Sequence, residues 1–135
     1  MDQNNLTITK GTKMTEQQLD IINIKLAEEA KNLMTDRFPT MVSYFLEDTQ
    51  MYLEEIEKGA SEDDPERAIS PAHTIKSSAK QLGAERVSEI AKNIEEVCRN
   101  LVENGSNDLE QFKNLSKQLK EEIGLATPEL NKLCE

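Results

Sequence analysis

The sequence predicts an all-α protein, and its composition and its apolar periodicity are the observations that predict it. Glycine occurs five times and proline four times in 135 residues, so the turns that an all-β fold needs are scarce. Apolar residues recur every three or four positions over long stretches, as on one face of a helix. A chain of this length can bury one core without disulfides or metals. We therefore expect a flexible polar tail over residues 1–13 and a single helical bundle domain over residues 14–135.

The first two predicted helices precede the most informative part of the chain. Helix A covers about residues 15–34, and Thr15 with Gln18 resembles a capping box at its start. Helix B covers about residues 38–58, where Gly59 is a plausible stop. Both stretches have one apolar face, so each is expected to pack against the rest of a bundle.

The third predicted helix is the longest and contains the single histidine of the chain. Residues 64–66, Asp-Pro-Glu, form a strong start signal. Pro71 either kinks this helix or marks its real start, with Ser70 as the cap. The apolar pattern then continues through Gly83 to a stop near Gly105, which predicts one uninterrupted helix C.

The last predicted helix, D, covers about residues 109–124 and is capped by Asn107 or Asp108. Residues 127–129, Thr-Pro-Glu, then open a short terminal turn. Short connections favour antiparallel neighbours. The predicted fold is therefore an antiparallel up-down four-helix bundle with an additional N-terminal helix and a short C-terminal turn.

Charge and cysteine content exclude several classes of function. The net charge of −10 disfavours nucleic acid and anionic membrane surfaces as partners. Cys98 and Cys134 form no CxxC pair, and one histidine cannot complete a zinc site with two such distant thiolates. No apolar segment approaches the length of about 18 residues that a membrane span needs. We expect a cytoplasmic monomer with no intrinsic cofactor.

His73 is the candidate reactive residue. On a helix it points about 140° away from the core-facing positions, with Lys76, Ser77, Lys80 and Ala84 on its own side. A neutral imidazole is a competent nucleophile at cytosolic pH. Phosphoryl transfer spreads negative charge over three oxygens, and Lys76 at +3 and Ser77 at +4 are the positions that can reach them.

The surrounding residues define a candidate docking face for a partner protein. Ile69, Ala84 and Val87 supply its apolar part, and Gly83 with Ala84 keeps the surface low so that a partner can approach. Val87 is equally compatible with the core. A single exposed histidine among lysines is also typical of ordinary surface, and Lys80 is compatible with phosphate contact or with solubility alone.

Residues 72–84, AHTIKSSAKQLGA, closely resemble the signature of the histidine-containing phosphotransfer (HPt) domain. That signature is A-H-x-[LI]-K-[GS]-[SA], followed by [LIV]-G-A nine to eleven residues after the histidine. Residues 38–48 look like the second bundle helix of that family, and residues 64–69 like the start of the helix that leads to the histidine. The resemblance covers roughly residues 15–125.

The resemblance implies that His73 accepts a phosphoryl group from a receiver-domain phospho-aspartate and passes it to another receiver aspartate. Receiver domains, alone or within a hybrid sensor histidine kinase, are the implied partners, and they would supply the Mg²⁺. The sequence has no GxxxxGK[ST] loop for ATP, so we expect a phosphotransfer carrier without autonomous kinase activity. The alternative is a helical interaction module that docks on a receiver or kinase without relaying phosphate.

Overall fold

Five α-helices account for most of the chain in the computed structural model, which describes residues 19–105 and 108–135. These residues contain no strand, and none of their helices is long and apolar enough to cross a membrane. The helices are α1 (Ile24–Met34), α2 (Phe38–Ser61), α3 (Glu66–Gln81), α4 (Glu85–Asn104) and α5 (Leu109–Leu133), with a 3₁₀ turn at Thr35–Arg37. The predicted tail over residues 1–13 lies outside the described residues.

The helices α2 to α5 form a four-helix bundle in which each packs against two others. Helix α3 packs against α2 and α4, and α5 packs against the other side of both. The Ser88 hydroxyl donates to the Lys76 carbonyl, whereas His73 meets Glu95 further along α4, so α3 and α4 run antiparallel. Large side chains of all four helices fill the core, among them Phe38, Leu53, Ile75, Ile90, Ile94, Phe112 and Leu119.

Helix α1 begins at Ile24, so the prediction of a helix through residues 19–23 is wrong. The reason is Asn23, whose side-chain oxygen accepts a hydrogen bond from the Leu26 amide and caps the helix at that point. Asn23 also donates its backbone N–H to the Gly83 carbonyl at 2.7 Å. The predicted capping box at Thr15 and Gln18 lies outside the described residues.

The predicted single helix C is two helices, because the chain reverses at residues 82–84 between α3 and α4. Gly83 has a φ of +83°, which L-residues with side chains rarely adopt. Its N–H bonds the Lys80 carbonyl and the next N–H, of Ala84, bonds the Ala79 carbonyl. This is the pair of bonds with which a Schellman motif ends a helix. Gly83 is therefore a helix terminator rather than an interior residue.

Pro71 does not mark the start of α3, because the helix begins at Glu66 and continues through the proline. The alternative of a start at Ser70 is therefore wrong, and the start signal at residues 64–66 is confirmed. Across the proline, the Thr74 hydroxyl donates to the Ser70 carbonyl at 3.1 Å, so a side-chain bond links the helical turn on either side of Pro71.

Helix α2 continues past its predicted stop at Gly59 and ends at Ser61. Gly59 is needed for close approach rather than for termination. A Cβ at this position would lie 2.8 Å from the Asp64 carbonyl oxygen of the following loop.

Helix α5 continues through Gly124 and Pro128 to Leu133, so the predicted short C-terminal turn is wrong. Pro128 has no N–H to bond the Gly124 carbonyl, but Gly124 is an exposed residue on the surface of the helix. The Thr127 hydroxyl bonds the Ile123 carbonyl at 2.8 Å, which satisfies the neighbouring acceptor.

The left-handed conformation of Gly83 can be tested by substitution. Gly83→Ala forces a side chain into a left-handed conformation and places its Cβ 2.7 Å from the Asn23 carbonyl oxygen. We expect it to lower the free energy of unfolding by about 1–3 kcal/mol, measured by urea denaturation. Gly124→Ala is the matched control, since a Cβ there meets no atom within 4 Å. Equal stability of the two variants would contradict the turn described here.

Candidate functional site

His73 lies on the outward face of α3, as the helical arithmetic predicts. Its side chain is 56% exposed, whereas Ala72, Ile75 and Ala79 of the same helix are fully buried. The imidazole leans towards α4, because its Nδ1 is 3.0 Å from Oε2 of Glu95. The candidate nucleophile is therefore accessible and is held by a contact from the neighbouring helix.

Glu95 is a buried carboxylate that binds three side chains of the site. Its side chain is only 8% exposed. Oε1 accepts from Nζ of Lys76 at 2.9 Å, and Oε2 accepts from Nη2 of Arg99 at 2.8 Å and Nε of Arg99 at 3.1 Å, besides the contact with His73. Four N–H groups therefore converge on this carboxylate, three of them on Oε2 and one on Oε1.

The charge of Glu95 follows from these contacts. Burial alone would raise the pKa of Glu95, but the hydrogen bonds from Lys76, Arg99 and His73 outweigh burial and lower the pKa from 4.5 to about 2. Glu95 is therefore ionised at neutral pH, and an ionised carboxylate can only accept hydrogen bonds.

This charge determines which imidazole nitrogen is available. Because Glu95 can only accept, Nδ1 of His73 must carry the proton and donate it. In the neutral ring the other nitrogen, Nε2, then holds the free lone pair. The neutral ring in this tautomer therefore has its nucleophilic nitrogen on the side away from the Glu95 contact, on a side chain that is mostly exposed.

Glu95 and Arg99 are functional candidates that the sequence analysis missed. The apolar periodicity predicts one helix where α3 and α4 lie, and on a single helix residue 95 would be far from His73 along the axis. Two signals in the sequence could have revealed the site: the glycine at position 83 within an apolar helical pattern, and an acid that lies between the apolar-stripe residues Ile94 and Cys98. An antiparallel return after Gly83 brings residue 95 back to the level of His73.

The remaining residues predicted on α3 lie on its surface. Ser77 and Lys80 are exposed, and Ile69 is half-buried against the core. Lys80 lies beside α1, where it lines a groove of about 510 Å³ with Leu26 and Leu33. The structure brings Lys76 into the cluster around Glu95, and it places Lys80 nearer α1.

Three residues of the predicted docking face are in the core, so their assignment to an exposed surface is wrong. Ala84 is fully buried, Val87 is 1% exposed, and Gly83 is buried in the turn. Because the chain reverses at Gly83, the helical arithmetic that placed Ala84 beside His73 does not apply. The alternative interpretation of Val87 as a core residue is confirmed.

Comparison with known proteins identifies the family. The sequence profile of the Hpt domain matches residues 40–124, which include all of the site around Glu95. The chain belongs to the Hpt domain family. Its role is accordingly that of a histidine phosphotransfer protein in two-component phosphorelay signalling, and Hpt domains carry phosphoryl groups rather than act as kinases.

A solved structure has the same fold. The histidine-containing phosphotransfer protein B (HptB) from Pseudomonas aeruginosa PAO1 superimposes with a TM-score of 0.75 at 18% sequence identity. The match covers 84% of this chain and 94% of that chain. No curated protein matches this sequence.

The Glu95 cluster predicts a specific response to acid. The pKa of Glu95 is lower in the folded state than in the unfolded chain, so the unfolded state binds more protons between the two values. The stabilisation is complete above about pH 4.5 and is lost as the pH falls towards 2. We expect the loss from this one group to be about 3 kcal/mol, measured as the difference in unfolding free energy between the wild type and Glu95→Gln across this range.

Glu96→Gln is the matched control, because it removes the same charge from an exposed position of the same helix. It should keep the acid response of the wild type. If Glu95→Gln and Glu96→Gln respond to pH in the same way, Glu95 is not the paired carboxylate described above.

Proposed function

We propose that His73 is the phosphoacceptor, that it takes a phosphoryl group from a receiver-domain phospho-aspartate, and that it passes this group to another receiver aspartate. One observation supports this proposal above all others: Nδ1 of His73 lies 3.0 Å from the buried, ionised Glu95 carboxylate and donates to it, so that in the neutral ring Nε2 holds the lone pair, on a side chain that is 56% exposed. In this neutral form the imidazole can attack the phosphoryl group of a partner without a base to remove a proton.

The proposed transfer balances without a proton relay. The Nε2 lone pair attacks phosphorus, the N–P bond forms, and the bond between phosphorus and the aspartyl oxygen breaks to release the aspartate carboxylate. The positive charge that develops on the ring lies next to Glu95 through the Nδ1–H bond. In the return step an aspartate oxygen attacks phosphorus, and the imidazole leaves as the same neutral Nδ1–H ring.

Lys76 and Ser77 are proposed as the neighbours of the phosphoryl oxygens. The Lys76 ammonium is held at 2.9 Å by Glu95 and is still 31% exposed, so it is fixed beside His73 and remains open to an incoming anion. Ser77 is exposed one helical turn after His73 and can donate its hydroxyl. With Arg99, the cluster carries two cations around one carboxylate on a chain of net charge −10, which favours an anionic group at this place.

The proposed partner supplies the rest of the chemistry. The receiver would bring Mg²⁺ and the activated phosphate, either as a response regulator or within a hybrid sensor histidine kinase. Ile69 and Lys80, on the outer part of α3, are proposed to contact it. We propose that the chain works as a cytoplasmic monomer that binds neither nucleic acid nor membranes, which its acidic charge supports.

The decisive variant is His73→Gln. The side chain is mostly exposed, and Lys76 and Arg99 stay on Glu95 without it, so the free energy of unfolding should change by no more than about 1 kcal/mol. Acceptance of phosphate from a charged receiver should be abolished, measured as protein-bound label that survives base and is lost in acid. Receiver binding should persist, because the rest of the α3 surface is unchanged.

Lys120→Gln serves as the control, since α5 packs against α2 and α4 and not against α3. It should accept phosphate at the wild-type rate. Acid-labile phosphate on His73→Gln would show that another residue is the acceptor. A wild-type chain that binds receivers but never takes up label would instead support the interaction-module alternative.

A further inference from the structure

Arg99 contacts the same oxygen of Glu95 that His73 contacts. Two bonds from its guanidinium, 2.8 Å from Nη2 and 3.1 Å from Nε, end on Oε2, which also accepts from Nδ1 of His73 at 3.0 Å. We propose that Arg99 is a positioning residue for phosphotransfer, which fixes the Glu95 carboxylate so that the imidazole stays in its Nδ1–H form. This inference rests on the proposed role of His73 and adds to it the residue that orients the nucleophile.

The two cations of the cluster hold different parts of the carboxylate. Lys76 makes one hydrogen bond, and that bond goes to Oε1. The terminal torsion of a glutamate is broad, so a single bond to Oε1 leaves the carboxylate plane free to turn. The two bonds from Arg99 fix Oε2, the oxygen that sets the imidazole. Arg99 therefore determines where Oε2 of Glu95 lies relative to Nδ1 of His73.

The location of Arg99 on α4 suits this role. It lies four residues after Glu95 on the same helix, so the pair forms without help from α3. The contact that orients the carboxylate is thus made within α4 and needs no residue of α3. The Arg99 side chain is 53% exposed, and Arg99 and His73 are linked through the shared oxygen of Glu95. No direct hydrogen bond joins Arg99 to His73 in the part of the chain that the structure describes.

The shape of the guanidinium also matters. Its Nε and Nη2 are fixed in one plane and can both point at one oxygen, whereas a lysine ammonium carries its three donors on a flexible stem with no fixed planar pair. A lysine at this position could keep the charge of the pair but not the double contact. We therefore expect an ordered series in the population of the Nδ1–H tautomer and in the rate of phosphoryl gain. Both should be highest with arginine at position 99, intermediate with lysine and lowest with glutamine.

The test is the tautomer of the unphosphorylated imidazole, measured by ¹⁵N NMR of the untagged, histidine-labelled chain at a pH where the ring is neutral. The chain has one histidine, so the spectrum has one imidazole to assign. Arg99→Gln should increase the Nε2–H form and slow phosphoryl gain roughly tenfold, which is the effect of losing a hydrogen-bonded supporting residue at a metal site. Arg99→Lys should lie between Arg99→Gln and the wild type in both measurements. Receiver affinity should stay within about twofold.

Lys92→Gln is the matched control, because it removes one positive charge from an exposed position on the same helix. It should leave both the tautomer and the rate as in the wild type. Slow transfer by Arg99→Gln with an unchanged tautomer would overturn the proposal, since Arg99 would then act on the phosphoryl group or on the receiver. An unchanged tautomer and an unchanged rate would also overturn it and assign Arg99 to ordinary surface.

The tautomer comparison does not depend on phosphorylation. If the wild-type chain took up no phosphate, the proposed function would fail while the ¹⁵N spectra still tested whether Arg99 positions Glu95. If Arg99→Gln folds poorly, Arg99→Lys provides the same comparison with the charge retained.

Discussion

The site depends on one buried carboxylate. Glu95 is only 8% exposed, and a buried charge is tolerated only when it is paired and hydrogen-bonded. Lys76 and His73 of α3 and Arg99 of α4 meet this requirement together, so the same contacts that make the anion tolerable also join the two helices. Removal of Glu95 would therefore affect the state of the imidazole and the attachment of α3 to α4 at once.

The register between these helices is set at the turn after α3. Gly83, with its left-handed conformation, lies in a connection of three residues between α3 and α4. Asn23, which precedes α1, makes two hydrogen bonds to this turn. Its backbone N–H donates to the Gly83 carbonyl, and its side-chain amide donates to the Glu85 carboxylate at 2.9 Å. Asn23 also caps α1, so one residue fixes the start of α1 and the start of α4. A short, rigid turn is what brings residue 95 to the level of residue 73, and a longer loop would not specify that pairing.

The sequence predicts the features that depend on residues close together in the chain, which are the helices and the direction of a side chain on its own helix. Apolar spacing predicts the helical class and the bundle, and the outward direction of His73 follows from its own helix. Apolar spacing does not reveal the break at Gly83. Leu82, Ala84 and Val87 are all buried, so the apolar periodicity continues through the reversal of the chain. Glu95 and Arg99 become visible as part of the site only after that reversal, since their relation to His73 is a contact between two helices. The extension of α5 through Pro128 likewise depends on an exposed Gly124 and on the Thr127 hydroxyl, which the proline itself does not reveal.

We propose that Glu95 occupies Nδ1 of His73 and thereby directs the phosphoryl group to Nε2. The most direct test is to phosphorylate the ¹⁵N-histidine-labelled chain with a charged receiver and to identify the ring nitrogen that is coupled to ³¹P. The single histidine removes any ambiguity of assignment. Phosphorus on Nε2, with the proton retained on Nδ1, is the predicted result. Phosphorus on Nδ1 would contradict the account, because that nitrogen could then not be donating to Glu95.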